Sequence, residues 1–224
     1  MNMTRKTFLA GVGGTALSAS LTPSQNSPQR ILFLGDSITY SGGYIVTLDA
    51  LSGSRSDRWF INCGLPSETV SGLSEPGHAG GSFPRPDLHE RLERVLKTTQ
   101  PDYVFACYGM NDGIYYPLGE ERFAKYKEGV ERLVQRVGAK RITLLTPPVF
   151  DSVPIKAQTL PAGRAEYRSP YEGYDEVLTE YAKWLTTRKG WSVIDIHTPI
   201  RYALDEARKT NPNFRFADDG VHIN

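Results

Sequence analysis

The sequence predicts an α/β protein: a three-layer α/β/α sandwich around a five-stranded parallel sheet of strand order 2-1-3-4-5. Three observations lead there. Short, nearly continuous apolar runs alternate with longer stretches of helical period, the pattern of parallel strands joined by crossover helices. The strand-like runs lack the polar alternation of a half-solvated sheet, so both faces are expected to be covered. The chain is 224 residues long, enough for one domain with a substantial core.

The elements follow in order. The run 30–34 (Arg-Ile-Leu-Phe-Leu) is the first strand, and a helical stretch surrounds Tyr44 to Leu51. Residues 58–61 form the second strand. Leu88, Leu92, Val95 and Leu96 share one helical face, and Pro101 closes that helix. Residues 102–107 form the third strand. Phe123, Tyr126, Val130, Leu133 and Val137 step by three and four, marking the next helix. Residues 141–145 are the fourth strand, and Tyr174, Leu178, Tyr181 and Leu185 lie on a further helix. Residues 191–195 make the fifth strand, and Ile200, Ala203, Leu204 and Ala207 the last amphipathic helix. In such sheets ligands bind at the carboxyl ends of the strands, near the point where strand order reverses. Two long connections, 66–86 and 146–170, start at that edge and can wall a site.

Composition narrows the function. Lys and Arg total 26 against 25 Asp and Glu, with no basic run, which argues against a nucleic-acid partner. No run reaches the ~18 apolar residues of a membrane span. No metal-ligand spacing is present, and no cofactor is expected. Gly11-Val12-Gly13-Gly14-Thr15-Ala16 matches a dinucleotide fingerprint, but no strand precedes it and no βαβ unit follows, so it is set aside. Cys63 and Cys107 end strands that the expected order separates by a third, so two steps of ~4.8 Å put them beyond disulfide reach. Residues 1–28 read as an export signal and linker. Arg5-Lys6 precede an apolar stretch with small residues, and Thr4-Arg5-Lys6-Thr7-Phe8-Leu9 is close to a twin-arginine pattern with Lys6 in the second arginine's place. The expected location is therefore periplasmic or extracellular.

Four short blocks fall at the expected ligand edge. Gly35-Asp36-Ser37-Ile38-Thr39 follows the first strand and Asn62-Cys63-Gly64 ends the second. Gly109-Met110-Asn111-Asp112 follows the third, and Asp219-Gly220-Val221-His222 lies past the last helix. Taken singly, Asp36-Ser37 reads as a helix cap, and Asn111-Asp112-Gly113 or Asp218-Asp219-Gly220 as turns. A serine hydroxyl becomes a nucleophile only with a base beside it, and histidine has the pKa for that work. A carboxylate on the second ring nitrogen sets its tautomer. An α/β-hydrolase would instead carry Gly-x-Ser-x-Gly and a long separation between acid and base.

Together, in this order, the blocks resemble the SGNH hydrolases, the superfamily that contains the GDSL-like lipases and acylhydrolases, over residues from about 30 to the chain end. The resemblance implies a flavodoxin-like sheet and a serine esterase working through an acyl-serine. It implies Ser37 as nucleophile, His222 as base and Asp219, rather than Asp218, as its partner. The oxyanion would be held by the backbone N–H groups of Ser37 and Gly64 and the Asn111 side-chain amide. For substrate it implies a polysaccharide O-acetyl ester, with short-chain acyl or lysophospholipid esters as the alternative. A catalytically idle carbohydrate-binding relative is the alternative of another class. Tyr40, Tyr115 and Tyr116, with Tyr108 nearby, are candidates for the substrate wall. His78, His89 and His197 match no motif, and a hydrogen-bonded structural role is expected of His197. The resemblance also implies a closing helix after the histidine. With Asn224 two residues past His222, the expectation is a domain over 29–224 without that helix, and a frayed loop around Asp219 and His222.

Overall fold

The computed structural model describes residues 27–161 and 169–223, so the export signal expected over 1–28 lies almost wholly outside the described residues. Five strands, β1 (Gln29–Gly35), β2 (Arg58–Gly64), β3 (Tyr103–Cys107), β4 (Ile142–Leu145) and β5 (Ser192–Ile194), pair in the order β2-β1-β3-β4-β5. Every pairing is parallel. Between them run α1 (Ser37–Ser41), α2 (Gly43–Leu51), α3 (Leu88–Thr99), α4 (Glu120–Val137), α5 (Tyr174–Thr186) and α6 (His197–Thr210). The fold class and strand order are those read from the sequence. Five residues carry no helical period, so the only sequence trace of the short α1 is its cap, Asp36.

Side chains alternate across the sheet as strand geometry requires. Leu32, Leu34, Val104, Ala106, Ile142 and Leu144 point into a large core with α3, α4 and α5. Ile31 and Phe33 point the other way and pack with Ile45, Tyr44, Phe60 and Phe105. On the first face α4 meets α5 through rings: Tyr126 stacks on Tyr181 at 4.2 Å and Phe123 on Tyr181 at 5.0 Å. These are the aromatic positions that the helical period had placed on one side.

β1 lies between the strands that carry the two cysteines: Leu34 pairs with Cys63, and Gly35 with Cys107. Both thiols are free. Among the described residues no helix is long and apolar enough to cross a membrane.

The long loop between β2 and α3 is not loose. Thr69 bridges Asp87, and the Val70 and Ser71 N–H groups donate to Asp112 Oδ1 at 2.9 and 2.8 Å. Helix α4 presses on it closely enough that a Cβ at Gly129 would lie 2.0 Å from the Val70 carbonyl oxygen. The C-terminal loop is tied as well. Asp151 N–H donates to the Gly220 carbonyl at 2.8 Å, and Val221 is buried in the main core. A buried valine and a backbone bond thus tie residues 219–222 to the body of the fold.

Candidate active site

Ser37 stands where β1 gives way to α1. Asp36 caps that helix, its Oδ1 accepting from the Ile38 N–H at 2.9 Å. The cap turns the chain sharply and presents residue 37 on the first helical turn, where backbone N–H groups have no carbonyl partner within the helix. The capping role that rivals a chemical one thus belongs to Asp36, and leaves the Ser37 hydroxyl available.

The hydroxyl meets His222, 185 positions away in sequence, with Ser37 Oγ 2.7 Å from His222 Nε2. The other ring nitrogen, Nδ1, lies 2.5 Å from Asp219 Oδ2. Asp219 Oδ1 accepts from the Val221 and His222 N–H groups at 2.9 and 2.8 Å. One carboxylate therefore shapes its own turn and holds the imidazole. Burial alone would raise the Asp219 pKa, but the hydrogen bonds from the His222 ring and the two backbone N–H groups outweigh it and bring the value down to about 2. An ionised carboxylate at Nδ1 assigns the ring proton to that nitrogen, so Nε2 is left as the acceptor for the Ser37 hydroxyl. Asp218 turns elsewhere and pairs with Arg215.

Asn111 lies in the turn after β3 and is buried. Its Nδ2 donates toward Asp36 Oδ2 at 3.4 Å and the Glu68 carbonyl at 3.3 Å. Its Oδ1 accepts from Arg85 Nη1 at 3.0 Å and Tyr115 Oη at 3.2 Å. The neighbouring acids sit deep. Desolvation raises Asp36 to about 7 and Asp112 to about 6, and it also raises Glu68.

Ser37, Asn111 and His222 line one cleft of about 600 Å³, with Pro66, Ser67, Glu75, Gly77, His78, Ala79, Gly80, Phe83, Arg85 and Tyr115. Most of that wall comes from the long loop after β2, as its position at the strand ends suggested.

Several sequence-based expectations need correction. Gly64 does not line the cleft, and its N–H already donates to Asn62 Oδ1 at 2.9 Å. Glycine is required there for packing, since a Cβ would lie 2.3 Å from the Tyr40 nitrogen in α1. The residue of this loop that reaches the cleft is Ser67, at φ +65°. Sequence reasoning missed it because the argument from close approach favours a glycine, and a serine in the left-handed region leaves no sequence signal.

The tyrosines divide. Tyr40 is 63% exposed and lies off the cleft, as does Tyr116, whose ring lies under the Arg122 guanidinium. Tyr115 does border the cleft but is only 1% exposed, and its hydroxyl serves Asn111. Tyr108 is buried and donates to Glu68. His78, which no motif marked, is in the wall, 5.4 Å from the Phe83 ring. His197 is structural as expected, buried between Thr179 Oγ1 and the Pro147 carbonyl. His89 lies against the Gly129 carbonyl.

No curated protein matches the chain closely enough to count as a relative. Solved structures do resemble it in fold. A lipase/acylhydrolase from Enterococcus faecalis is 21% identical with a TM-score of 0.55, over 87% of each chain. A catalytic mutant of an acetylxylan esterase from Geobacillus stearothermophilus is 19% identical with a TM-score of 0.59, over 89% of this chain and 88% of that one. A gut microbial diltiazem-metabolizing enzyme is 18% identical with a TM-score of 0.60. It is matched over 88% of this chain, which spans only 43% of that enzyme. At the level of sequence families, the GDSL-like lipase/acylhydrolase family matches residues 33–224. The chain belongs to the GDSL-like lipase/acylhydrolase family of ester hydrolases.

Proposed function

We propose that this protein is an exported serine esterase that removes acetyl groups from a carbohydrate through an acyl-serine intermediate. The observation that carries the chemistry is the unbroken relay Ser37 Oγ, His222 Nε2, His222 Nδ1, Asp219 Oδ2, with gaps of 2.7 and 2.5 Å.

In the first half-reaction Ser37 Oγ attacks the ester carbonyl carbon while its proton passes to His222 Nε2. Asp219 stabilises the imidazolium that forms. The tetrahedral intermediate collapses as His222 protonates the departing alcohol, leaving the acyl group on Ser37. A water molecule then attacks, giving its proton to His222. The second collapse releases the carboxylic acid and returns a proton to Ser37 Oγ. We place the oxyanion between the Ser37 N–H, the Ser67 N–H and Asn111 Nδ2, donors carried by three residues that line the cleft. Each such donor is worth about 3–4 kcal/mol of barrier.

The lining supports a short acyl group on a polar alcohol. A long acyl chain gains about 0.8 kcal/mol for each methylene buried, and needs a continuous apolar wall to collect it. This cleft instead interrupts its apolar groups with the polar side chains of Ser67, His78 and Asn111. Phe83, 57% exposed at its rim, offers a flat face to a sugar ring. The fold resemblance to an acetylxylan esterase is in keeping with this reading. The N-terminal signature supports export.

Ser37→Ala tests the chemistry. Hydrolysis of p-nitrophenyl acetate is expected to fall by about three decades or more, with the circular dichroism spectrum unchanged; retained hydrolysis in a folded variant would remove Ser37 from the reaction. Acetate release from acetylated xylan, compared with hydrolysis of p-nitrophenyl octanoate, tests the substrate. Preference for the octanoate would overturn the carbohydrate reading and favour lipid-like esters.

A further inference from the structure

Beneath the proposed oxyanion site lies a group of polar side chains that the reaction itself does not use. Arg85 and Glu75 form a bidentate pair, with Nε to Oε2 at 2.7 Å and Nη2 to Oε1 at 2.8 Å, and each side chain is 2% exposed. Burying both ions is costly, and well-packed apolar residues often serve stability as well or better. Such a pair therefore invites a reason other than stability. The third donor of the guanidinium supplies one: Arg85 Nη1 reaches Asn111 Oδ1 at 3.0 Å.

The same oxygen receives the Tyr115 hydroxyl at 3.2 Å. That hydroxyl is held at a conformational cost. Ile114 and Tyr115 both sit at φ +55°, a region that bulky and β-branched residues rarely adopt. The surroundings hold Tyr115 there, with Tyr174 4.8 Å and Phe150 6.2 Å away between ring centroids. Strain of this kind persists where the neighbours over-determine the geometry, and it clusters at functional sites.

We infer that Arg85, anchored by Glu75 and joined by Tyr115, is a positioning residue that holds and polarises the Asn111 amide. Two donors on Oδ1 fix the amide with Nδ2 toward Asp36 and the Glu68 carbonyl, since the reversed orientation would set NH₂ against a guanidinium and a phenol. A cation on the carbonyl oxygen also draws electron density from the amide nitrogen. Nδ2 becomes a stronger donor toward an oxyanion in a site of low dielectric. Arg85 touches Asn111 and not the reacting atoms, so it acts through that residue. The inference rests on the reading of Asn111 as an oxyanion donor.

A double-mutant cycle tests it. Arg85→Met together with Glu75→Met removes the pair without leaving a lone buried charge. In the otherwise native enzyme this is expected to lower kcat on p-nitrophenyl acetate about 10- to 100-fold, with KM within about twofold. In an Asn111→Ala background the same double change is expected to alter kcat by less than about twofold. Tyr115→Phe, which removes a donor to the same oxygen without changing charge, is expected to lower kcat several-fold in the native background and not in Asn111→Ala. Its thermal midpoint reports whether the fold is kept, and it carries the test if the Arg85 and Glu75 changes prevent folding. Equal factors in the two backgrounds, or a change confined to KM, would overturn the positioning role. An Asn111→Ala enzyme with unchanged kcat would overturn the oxyanion reading itself, and the inference with it.

Discussion

The two sides of the cleft are built in opposite ways. On one side His222 and Asp219 leave 39% and 41% of their side chains exposed. They are organised by a four-residue stretch whose own N–H groups bond the carboxylate. On the other side Asn111, Arg85, Glu75 and Tyr115 are all buried, and they come from two loops packed against each other. Under the proposed mechanism the difference follows from what each side handles. A proton carrier must exchange with an alcohol and with water, so the imidazole needs access. A donor to an oxyanion works best when it is already oriented and shielded, because the interaction strengthens as water is excluded.

That contrast can be broken experimentally, and the largest effect is expected on the open side. His222→Ala removes the base, and kcat on p-nitrophenyl acetate is expected to fall by about three decades or more. The thermal midpoint should stay within a few degrees, since a half-exposed ring contributes little packing. A large loss of stability would show that the open side is also a structural keystone.

A middle-sized effect is expected from the acids behind the sealed side. Asp36 and Asp112 are raised by burial to about 7 and about 6, against roughly 3.9 in an unfolded chain. The native state therefore holds protons that the unfolded state has lost. Their contribution to stability is fully present below about pH 4 and is lost as pH rises through 6 to 7. Asp219, lowered to about 2, acts oppositely: its contribution is fully present above about pH 4 and is lost as pH falls from there through about 2. Asp112 Oδ2 has no hydrogen-bond partner among the described residues, so Asp112→Asn can keep the acceptor used by Val70 and Ser71. The drop in thermal midpoint between pH 5 and pH 8 is expected to be about 5 °C smaller in the variant. An unchanged slope would show that Asp112 is not among the groups that titrate.

The smallest effect sharpens the boundary of the cleft. Tyr40→Ala is expected to change kcat/KM on acetylated xylan by less than about twofold, because the ring is exposed outside the wall. Phe83, at the rim, is the aromatic that a sugar would meet. A tenfold loss for Tyr40→Ala would extend the site over α1.

What could be read without coordinates follows from how local the signal is. The parallel sheet was legible from apolar runs alternating with helical stretches, a pattern that holds wherever a sheet is buried on both faces. Ser37, Asn111 and His222 were legible because each sits in a short block at a strand end or near the chain terminus. Gly64 misled because a glycine can answer either to a close substrate or to a close helix, and the sequence is the same in both cases. Tyr40, Tyr115 and Tyr116 were indistinguishable in sequence; one is solvated, one lies beside an arginine, and one is buried beneath Asn111.

The sequence by itself determined the layers, the strand order and the residues able to exchange a proton with a serine, because periodicity and short motifs are written in neighbouring positions. Tertiary structure alone decided that Ser67 rather than Gly64 lies on the cleft wall, and that Arg85 and Glu75 meet beside Asn111. Those outcomes depend on how one long loop packs against the turn after β3. Packing between segments distant in sequence leaves no periodic trace in either of them.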